Sequence, residues 1–171
     1  MKVSLIIPAR NEGQCIGRVL KEVPRNVVNQ IIVVDGHSTD DTVNQAKKFL
    51  KPGDTIFVQK ALGYGGAFLE GFAHAHGDLI ILMDADGSHN PADIHLFVAK
   101  AKKGYEYILA SRYMPGGRSD DDTVIRYLGN KIFTWMTNVI HRTNVSDSLY
   151  LYTAITRKGL KKLNLMSTGF E

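Results

Sequence analysis

Three things that this chain lacks limit what it can be. It has a single cysteine, Cys15, so it cannot form an internal disulfide, and a reducing cytoplasm is the simplest compartment for it. No apolar run approaches the roughly 18 residues that a membrane-spanning helix needs. The N-terminal residues have the pattern of a polar-punctuated strand and lack the apolar core of a signal peptide. We therefore expect a soluble cytoplasmic protein.

The chain also lacks a large excess of charge of one sign. It has 21 Lys and Arg against 17 Asp and Glu, a net charge of +4, and its basic residues are dispersed apart from a local group within residues 157–162. Such a charge could favour anionic substrates, lipid headgroups or nucleic acid, but a charge of this size is more often that of a solvated surface, and we expect no nucleic-acid partner. With 171 residues, 44% of them hydrophobic, the chain fits one domain spanning residues 1–171.

What the chain does contain is a repeated order of apolar strand, polar loop and helix. The predicted strands cover residues 2–8, 30–35, 55–58, 79–83 and 105–110. Helical patterns follow the first four strands, and Pro24 and Pro52 end the first two helices. This alternation predicts parallel βαβ units, so the fold class is α/β, an open and mostly parallel sheet with helices on both faces. In such sheets ligands bind beyond the carboxyl ends of the strands.

Two carboxylates, Asp84 and Asp86, follow the most apolar of these strands. Side chains two residues apart in an extended chain point to the same side, so both carboxylates can reach one small site. Oxygen ligands suit a hard divalent ion, Mg²⁺ or Mn²⁺, which keeps positions open for substrate phosphates. The alternative is purely structural, with Asp86 and Gly87 forming a turn and Asp84 capping the strand end.

Polar residues also follow the other early strands. Residues 8–12 and 35–38 are expected to gather beside Asp84 and Asp86 at the same edge of the sheet. Ser38 or Thr39 is expected to cap the helix that comes next. Glycine-rich residues 63–66 begin the helix that follows the third strand, and the N-terminus of this helix suits a phosphate.

The pattern changes after residue 110. Residues 114–122 combine glycine, proline and charge without periodicity, which predicts a surface loop able to move over the site. A helix should follow, and its apolar stripe is expected to be packed core, with lipid contact around Trp135 as the alternative. The stripe consists of Ile125, Leu128, Ile132, Trp135, Met136 and Val139.

Three motifs stand at three of the strand ends, VSLIIPARNE at residues 3–12, IIVVDGHSTDDT at 31–42 and DAD at 84–86. Together they resemble the inverting glycosyltransferase family 2 of nucleotide-diphospho-sugar transferases. The stretch ASRY at 110–113, followed by Gly116 and Gly117, looks most like the dolichyl- or polyprenyl-phosphate sugar transferases, the dolichol-phosphate mannose synthase group. The resemblance covers nearly the whole chain and implies a GT-A fold.

The resemblance also implies roles for individual residues. On the donor side Pro8, Arg10 and Glu12 would line the nucleotide pocket, Asp35 would bond the base, and Gly63 and Gly65 would pass near the nucleotide. Asp84 and Asp86 would hold the metal and the diphosphate, with Asp86 counted among the catalytic residues. Arg112 would contact phosphate or acceptor, and Arg126 matches an arginine of the helix after the loop.

Two departures from the family pattern accompany these roles. The family commonly has D-D-G-S after the second strand, where this chain has Asp35, Gly36, His37 and Ser38. It also tends to have S-G-F after a late aspartate, where Asp147 is followed by residues SLYL. The first departure affects the contacts to the base, and the second affects the acceptor side.

The function that follows is transfer of a sugar from GDP-mannose or a UDP-sugar to an acceptor, with inversion and with Mg²⁺ or Mn²⁺ stabilising the leaving diphosphate. The expected acceptor is a polyprenyl or dolichyl phosphate, reached by peripheral contact with the cytoplasmic face of a membrane. A lipid phosphate needs no strong base, whereas a sugar hydroxyl would need a carboxylate such as Asp147 or Asp122.

Three alternatives remain open from the sequence. A transferase with a soluble or saccharide acceptor would share the same donor site. Nucleotidyl transfer is a second enzyme class, although it usually brings an Arg- and Lys-bearing glycine-rich loop directly after the first strand. A donor-binding fragment without turnover is the third, because the sequence stops abruptly after Phe170 and Glu171, as a chain truncated at its C-terminus would.

Overall fold

The computed structural model of the protein describes residues 1–117, 123–163 and 165. The chain divides into two compact units. The first unit comprises residues 1–108 together with the chain from residue 154 onward, and the second unit comprises residues 109–153. The expectation of a single domain over residues 1–171 stays a prediction.

Six strands and six α-helices alternate along the described parts of the chain. The strands are β1 (Val3–Ala9), β2 (Gln30–Asp35), β3 (Thr55–Val58), β4 (Leu79–Leu82), β5 (Tyr107–Leu109) and β6 (Thr153–Thr156). The α-helices are α1 (Ile16–Glu22), α2 (Thr42–Lys47), α3 (Gly63–His74), α4 (Ile94–Lys102), α5 (Val124–His141) and α6 (Arg157–Leu160), and a 3₁₀ turn (Pro91–Asp93) precedes α4.

The sheet has the strand order β3-β2-β1-β4-β6-β5. The pairs β1–β2, β1–β4 and β2–β3 are parallel, which confirms the predicted open and mostly parallel α/β sheet. Strands β1 and β2 are buried along their whole length because their apolar, largely β-branched side chains are covered on both faces. The predicted bounds of β2 and β3 are confirmed to the residue.

The direction of strand order reverses at β1, because β2 lies on one side of it and β4 on the other. The carboxyl ends of β1, β2 and β4 therefore meet at a topological switch point, where open α/β sheets bind their ligands. The sequence-predicted residues Glu12, Asp35, Asp84 and Asp86 come at the ends of these three strands.

Helix α3 lies close against β1. A Cβ atom at Gly71 would stand 2.6 Å from Cγ2 of Ile6, so only glycine permits this approach. Ala67 on the same helix is buried in a cluster with Ile6, Ile32 and Ile80. This packing fixes the direction of α3 and, with it, the position of the residues in its first turn.

The second unit is built around α5, an 18-residue helix. Its N-terminus is capped by Thr123, whose hydroxyl accepts a hydrogen bond from the Arg126 N–H at 3.3 Å. Thr134 is the buried residue of α5, and its hydroxyl lies 3.3 Å from that of Ser148. The side chain of Asn138 also joins α5 to the segment after it, because its Nδ2 donates to the Val145 carbonyl and its Oδ1 accepts from the Val145 N–H, both at 2.9 Å.

The prediction that the apolar stripe of α5 is packed core is wrong. Ile125 is 83% exposed and Trp135 is 64% exposed, and the other four residues of the stripe are exposed as well. The error arises because a period of three and four residues shows that a helix is amphipathic and does not show what covers its apolar face. Lipid contact at this face stays a prediction.

Two further expectations concern the parts of the chain around α5. Of the predicted loop, residues 114–117 form a turn in which the Gly117 N–H donates to the Met114 carbonyl at 2.7 Å. Residues 118–122, including Asp122, and the last residues of the chain lie outside the described residues. Across the described parts of the chain, no helix has both the length and the apolar character to cross a membrane.

Candidate functional site

Four carboxylates of the first unit lie near one another at the carboxyl edge of the sheet. Burial raises the pKa of Glu12 above its usual range, and the negative charges of Asp86, Asp40 and Asp84 raise it further. Such repulsion requires the carboxylates to be close, so the expected gathering of Glu12 with Asp84 and Asp86 is present. The negative charge of these carboxylates favours a cation nearby.

Glu12 is held in place because the loop after β1 is joined to the loop after β2. Five hydrogen bonds join residues 11–13 to residues 38–42: Asn11 N–H to Ser38 Oγ (3.0 Å), Glu12 N–H to Thr42 Oγ1 (2.8 Å), Gly13 N–H to Asp40 Oδ2 (3.0 Å), Thr39 N–H to Asn11 Oδ1 (2.8 Å) and Thr39 Oγ1–H to Asn11 Oδ1 (3.3 Å). Asp40 is itself fixed by the Thr42 hydroxyl, whose hydrogen bond lowers the pKa of the Asp40 carboxyl. We call these contacts the loop staple.

The loop staple corrects the expectation that Ser38 or Thr39 caps α2. The N-cap of α2 is Asp41, which makes no side-chain cap hydrogen bond, and Ser38 and Thr39 bond Asn11 instead. Short polar side chains such as Ser and Thr can either cap a helix or bond a neighbouring loop, so the sequence alone did not show which of these contacts Ser38 and Thr39 make.

Three more residues predicted to bind the nucleotide, Asp35, Pro8 and Arg10, lie around the end of β2. Asp35 is buried, and its carboxylate accepts from the Ser38 N–H at 3.2 Å. Pro8 is buried in β1 beside Val34 of β2. Arg10 is exposed, and its side chain lies close to Gly36. A Cβ atom added at Gly36 would stand 3.2 Å from the Cβ atom of Arg10.

His37 stands where the family motif has glycine. Its backbone φ of 61° lies in the left-handed region that favours glycine, so the loop keeps the glycine conformation with a histidine in place. His37 is exposed beside the end of β2, where the base is expected to bind.

Asp84 is held by two side chains that the sequence analysis did not single out. The hydroxyl of Tyr64, in the first turn of α3, donates to Asp84 Oδ1. His89 Nε2 lies 3.5 Å from Asp84 Oδ2, and His89 Nδ1 accepts from the Asp84 N–H at 3.0 Å. Burial, then the negative charge of Asp84, raises the pKa of Tyr64, so the phenol stays a donor.

Asp86 forms a tight turn beyond β4. Its Oδ1 accepts from the Ser88 N–H at 2.8 Å, and Gly87 has a φ of 88°. The turn interpretation of Asp86 and Gly87 is therefore confirmed, and it is compatible with a metal at Asp86 because a carboxylate accepts more than one contact.

The donor set fits a divalent metal of the Mg²⁺ or Mn²⁺ type. Within residues 1–117, 123–163 and 165, no three His, Cys, Asp or Glu side chains converge on one metal position. Mg²⁺ is commonly bound by one or two carboxylates together with waters and substrate phosphates, so Asp84 and Asp86 suffice for a site that the substrate completes. The negative charges of Asp84 and Asp86, which together with burial raise the pKa of Glu12, supply a negative potential for it.

Gly63 and Gly65 belong to the first turn of α3 and not to a loop. Gly63 has a φ of 85°, and its carbonyl accepts from Gln59 Nε2 at 3.2 Å. This turn carries Tyr64, which bonds Asp84, so the glycine-rich turn does lie beside the predicted metal ligand.

Arg112 and Asp147 form a two-pronged ion pair in the second unit. Arg112 Nε donates to Asp147 Oδ2 at 2.8 Å and Arg112 Nη2 donates to Oδ1 at 3.0 Å. Burial of Asp147 opposes its charge, but the hydrogen bonds from Arg112 outweigh burial and hold the pKa of Asp147 below its usual range. These contacts make Asp147 an anchor for Arg112, and a role as a base stays a prediction.

Aromatic rings surround the Arg112 guanidinium. Its carbon lies 5.3 Å from the ring centre of Tyr113 and 5.2 Å from that of Tyr150. Lys131 Nζ lies 4.5 Å from the Tyr113 ring centre, so a second cation shares this ring. Arg126 is an exposed residue in the first turn of α5.

The residues that sequence reasoning missed are Tyr64 and His89, and it also missed the hydrogen bonds of the loop staple. His89 carried a weak signal, since it stands between the DAD motif and the helix start at Pro91. Tyr64 carried none, because its contact with Asp84 depends on how closely α3 packs on β1.

The family model described as Glycosyl transferase family 2 matches residues 4–163. Dolichol-phosphate mannosyltransferase of Pyrococcus furiosus is 28% identical over 100% of this chain and 51% of its own length. Glycosyltransferase AglJ of Haloferax volcanii is 27% identical over 98% of this chain and 54% of its own length. The chain thus spans about half the length of these two curated relatives.

Among solved structures, glucosyl-3-phosphoglycerate synthase of Mycobacterium tuberculosis in complex with phosphoglyceric acid has a TM-score of 0.73 at 21% identity, covering 92% of this chain and 57% of that one. The same synthase with Mn²⁺, UDP and glucosyl-3-phosphoglycerate has a TM-score of 0.71 at 20% identity, with the same coverage. At this identity the likeness shows the fold, which is the expected GT-A fold. The match over residues 4–163 shows more than the fold: the chain belongs to glycosyl transferase family 2.

Proposed function

We propose that the protein transfers a sugar from a nucleoside-diphosphate sugar to a phosphate-bearing acceptor, with inversion at the anomeric carbon. The observation that carries the proposal is the placement of Asp84 and Asp86 beside Glu12 at the switch point of the sheet. Family membership supports the reaction type, and the acidic cluster supports a metal-assisted diphosphate leaving group.

On the donor side, each residue has a separate task. Asp35 binds the base from the end of β2, with Pro8 and Arg10 beside it, and the loop staple fixes Glu12 against the nucleotide. Asp84 and Asp86 would hold Mg²⁺ or Mn²⁺, which when bound neutralises charge on the leaving diphosphate. The synthase neighbours that contain Mn²⁺ with UDP, or Mg²⁺ with UDP, support this choice of metals.

On the acceptor side, Arg112 holds a phosphate. Its guanidinium is oriented by Asp147 and by the rings of Tyr113 and Tyr150, and a planar guanidinium is a common ligand for phosphate oxygens. A phosphate oxygen attacks the anomeric carbon while the bond from that carbon to the diphosphate oxygen breaks. The attacking group is already an anion, so no carboxylate has to remove a proton, in agreement with the low pKa of Asp147.

The proposed acceptor is a polyprenyl or dolichyl phosphate at the cytoplasmic face of a membrane. Helix α5 supports it, because Ile125, Trp135 and their apolar neighbours are exposed. The helix carries Arg126 and Lys131 and contains no Asp or Glu, a combination that suits an anionic lipid surface.

A soluble acceptor is the second candidate. It is favoured by the structural neighbours, since glucosyl-3-phosphoglycerate synthase has been solved in complex with phosphoglyceric acid. Both candidates share a phosphate that a guanidinium can bind, and they differ in whether a lipid is attached.

The test is product formation from GDP-mannose, UDP-glucose and UDP-N-acetylglucosamine, each offered with a polyprenyl phosphate in detergent or with 3-phosphoglycerate. We expect a lipid-linked sugar from one donor, with Mn²⁺ or Mg²⁺ required and chelator abolishing turnover. A phosphoglycerate product would select the soluble acceptor. Donor binding without any product would select a donor-binding fragment and overturn the proposal.

A further inference from the structure

The segment from Asp84 to His89 closes on itself. After Asp84 the chain turns at Asp86, passes through the left-handed Gly87 and brings His89 back under the strand end, where it is 3% exposed. The next residue, Asn90, caps the 3₁₀ turn by accepting from the Ala92 N–H at 3.0 Å. His89 is therefore fixed by the chain on both sides of it.

The ring of His89 has a defined orientation. The Asp84 N–H donates to Nδ1 at 3.0 Å, so the proton of the neutral ring is on Nε2. That nitrogen lies 3.5 Å from Asp84 Oδ2. One histidine thus contacts both the backbone and the carboxylate of the same aspartate.

Tyr64 approaches the other oxygen of Asp84 from α3. Its hydroxyl donates to Oδ1, and its ring packs edge to face on Phe68 with the ring centres 4.6 Å apart. The contact of Gly71 with Ile6 fixes the helix that carries Tyr64. The two contacts to Asp84 therefore come from two separately anchored elements.

We infer that Tyr64 and His89 are positioning residues that hold the Asp84 carboxylate in the orientation that binds the divalent metal. Tyr64 donates to Oδ1, and His89 Nε2 lies 3.5 Å from Oδ2. Each carboxylate oxygen has two lone pairs, so these contacts still leave lone pairs for a cation. Fixing the carboxylate beforehand removes the entropy cost of ordering it when the metal arrives. This inference rests on the proposed function, because it assumes that Asp84 is a metal ligand.

The test is direct Mn²⁺ binding, measured from the electron paramagnetic resonance signal of free Mn²⁺ with saturating UDP and, separately, GDP. Tyr64→Phe removes the hydroxyl and keeps the ring on Phe68. His89→Asn places an oxygen where Nδ1 accepts from Asp84 N–H, whereas His89→Gln places an N–H donor near the position of Nε2. The matched controls are Tyr107→Phe in β5 and His95→Asn in α4, two residues of the first unit that are exposed.

Loss of an outer contact to a metal ligand typically weakens metal binding by about 10- to 100-fold. We expect Tyr64→Phe and His89→Asn to weaken Mn²⁺ binding by about 10-fold, His89→Gln to retain most of it, and both controls to match the wild type. Melting temperatures accompany each measurement, and Tyr64→Phe carries the test if a His89 variant does not fold.

The Asp84→Asn variant distinguishes failure of the positioning role from failure of the proposed metal site. If Asp84→Asn loses Mn²⁺ while Tyr64→Phe and His89→Asn bind as tightly as the wild type, the positioning role is overturned and the proposed metal site stands. If the wild type with either nucleotide binds Mn²⁺ no better than Asp84→Asn, the proposed metal site fails and the positioning role fails with it.

Discussion

The two units of the chain differ in the charge and polarity of the side chains that they present. In the first unit, acidic side chains gather at the ends of buried parallel strands and are held by short polar contacts from neighbouring loops. In the second unit, a guanidinium is held among aromatic rings and a long helix leaves its apolar face exposed. The difference shows that the proposed donor site depends on the strand ends, whereas the proposed acceptor side depends on what covers one helix.

The largest expected effect is a loss of product formation when Asp84 or Asp86, the carboxylates that follow β4, is replaced. Asp84→Asn or Asp86→Asn removes a charge that would hold the metal at the leaving group, so we expect product formation to fall by about 10³-fold with the fold intact. Asp78→Asn is the matched control, because Asp78 precedes β4 at the opposite end of the strand. Near-normal turnover in either site variant would remove the metal role from this strand end.

The second prediction probes the ion pair of the second unit. Asp147→Ala leaves the Arg112 guanidinium largely buried without its main partner, and breaking a buried pair typically costs about 3 kcal/mol or more of unfolding free energy. Urea denaturation measures this loss, with Glu106→Gln, which breaks an exposed pair with Lys158 and Lys162, as the matched control.

The lowered pKa of Asp147 also makes the unfolding free energy depend on pH. Its folded pKa is lowered, so the stability it contributes is present above its unfolded pKa of about 3.9 and is lost as pH falls through the folded value. We expect the wild type to lose stability below about pH 4 more steeply than Asp147→Asn does. Equal slopes for the two proteins would show that the pair contributes no charge-dependent stability.

The third prediction compares two isoleucines, one from each unit. Ile81 in β4 is 0% exposed and Ile132 in α5 is 59% exposed. Ile81→Ala should lower the unfolding free energy by about 2–5 kcal/mol, because it leaves a cavity in the core, and Ile132→Ala should change it by less than about 0.5 kcal/mol. A large loss in Ile132→Ala would mean that the α5 face is covered after all.

The same exposed face should bind lipid. Replacing Ile125 and Trp135 together by serine should weaken sedimentation with vesicles that contain anionic lipid by about 10-fold, because both side chains contribute apolar area to the membrane interface. The unfolding free energy should stay within about 0.5 kcal/mol of the wild type. Unchanged vesicle binding in the double variant would direct the acceptor search to soluble phosphates.

The contrast between the units also explains what the sequence could predict. Strands β1 to β4 followed from continuous apolar runs, and the parallel order then placed Glu12, Asp35, Asp84 and Asp86 at one edge. The contacts of Tyr64 and His89 with Asp84 could not be predicted, because they depend on helix packing and on a loop that closes over six residues. The exposure of α5 could not be predicted either, because amphipathic periodicity does not identify a partner.

The smallest expected effect is a change in the pKa of Glu12 when Asp86 is replaced. It tests whether the carboxylates at the strand ends influence one another's charge. Its folded pKa is raised, so folding favours the protonated form, and stability falls as pH rises from the unfolded pKa of about 4.3 to the folded value. Burial is the larger cause and the charge of Asp86 is the next, so Asp86→Asn should lower the Glu12 pKa partway toward its ordinary value. Carbon-13 resonance of the Glu12 carboxyl during a pH titration measures the change. Asp78→Asn should leave that pKa where it is, and an equal shift in both variants would show that net charge, and not proximity at the strand ends, sets the potential at the proposed metal site.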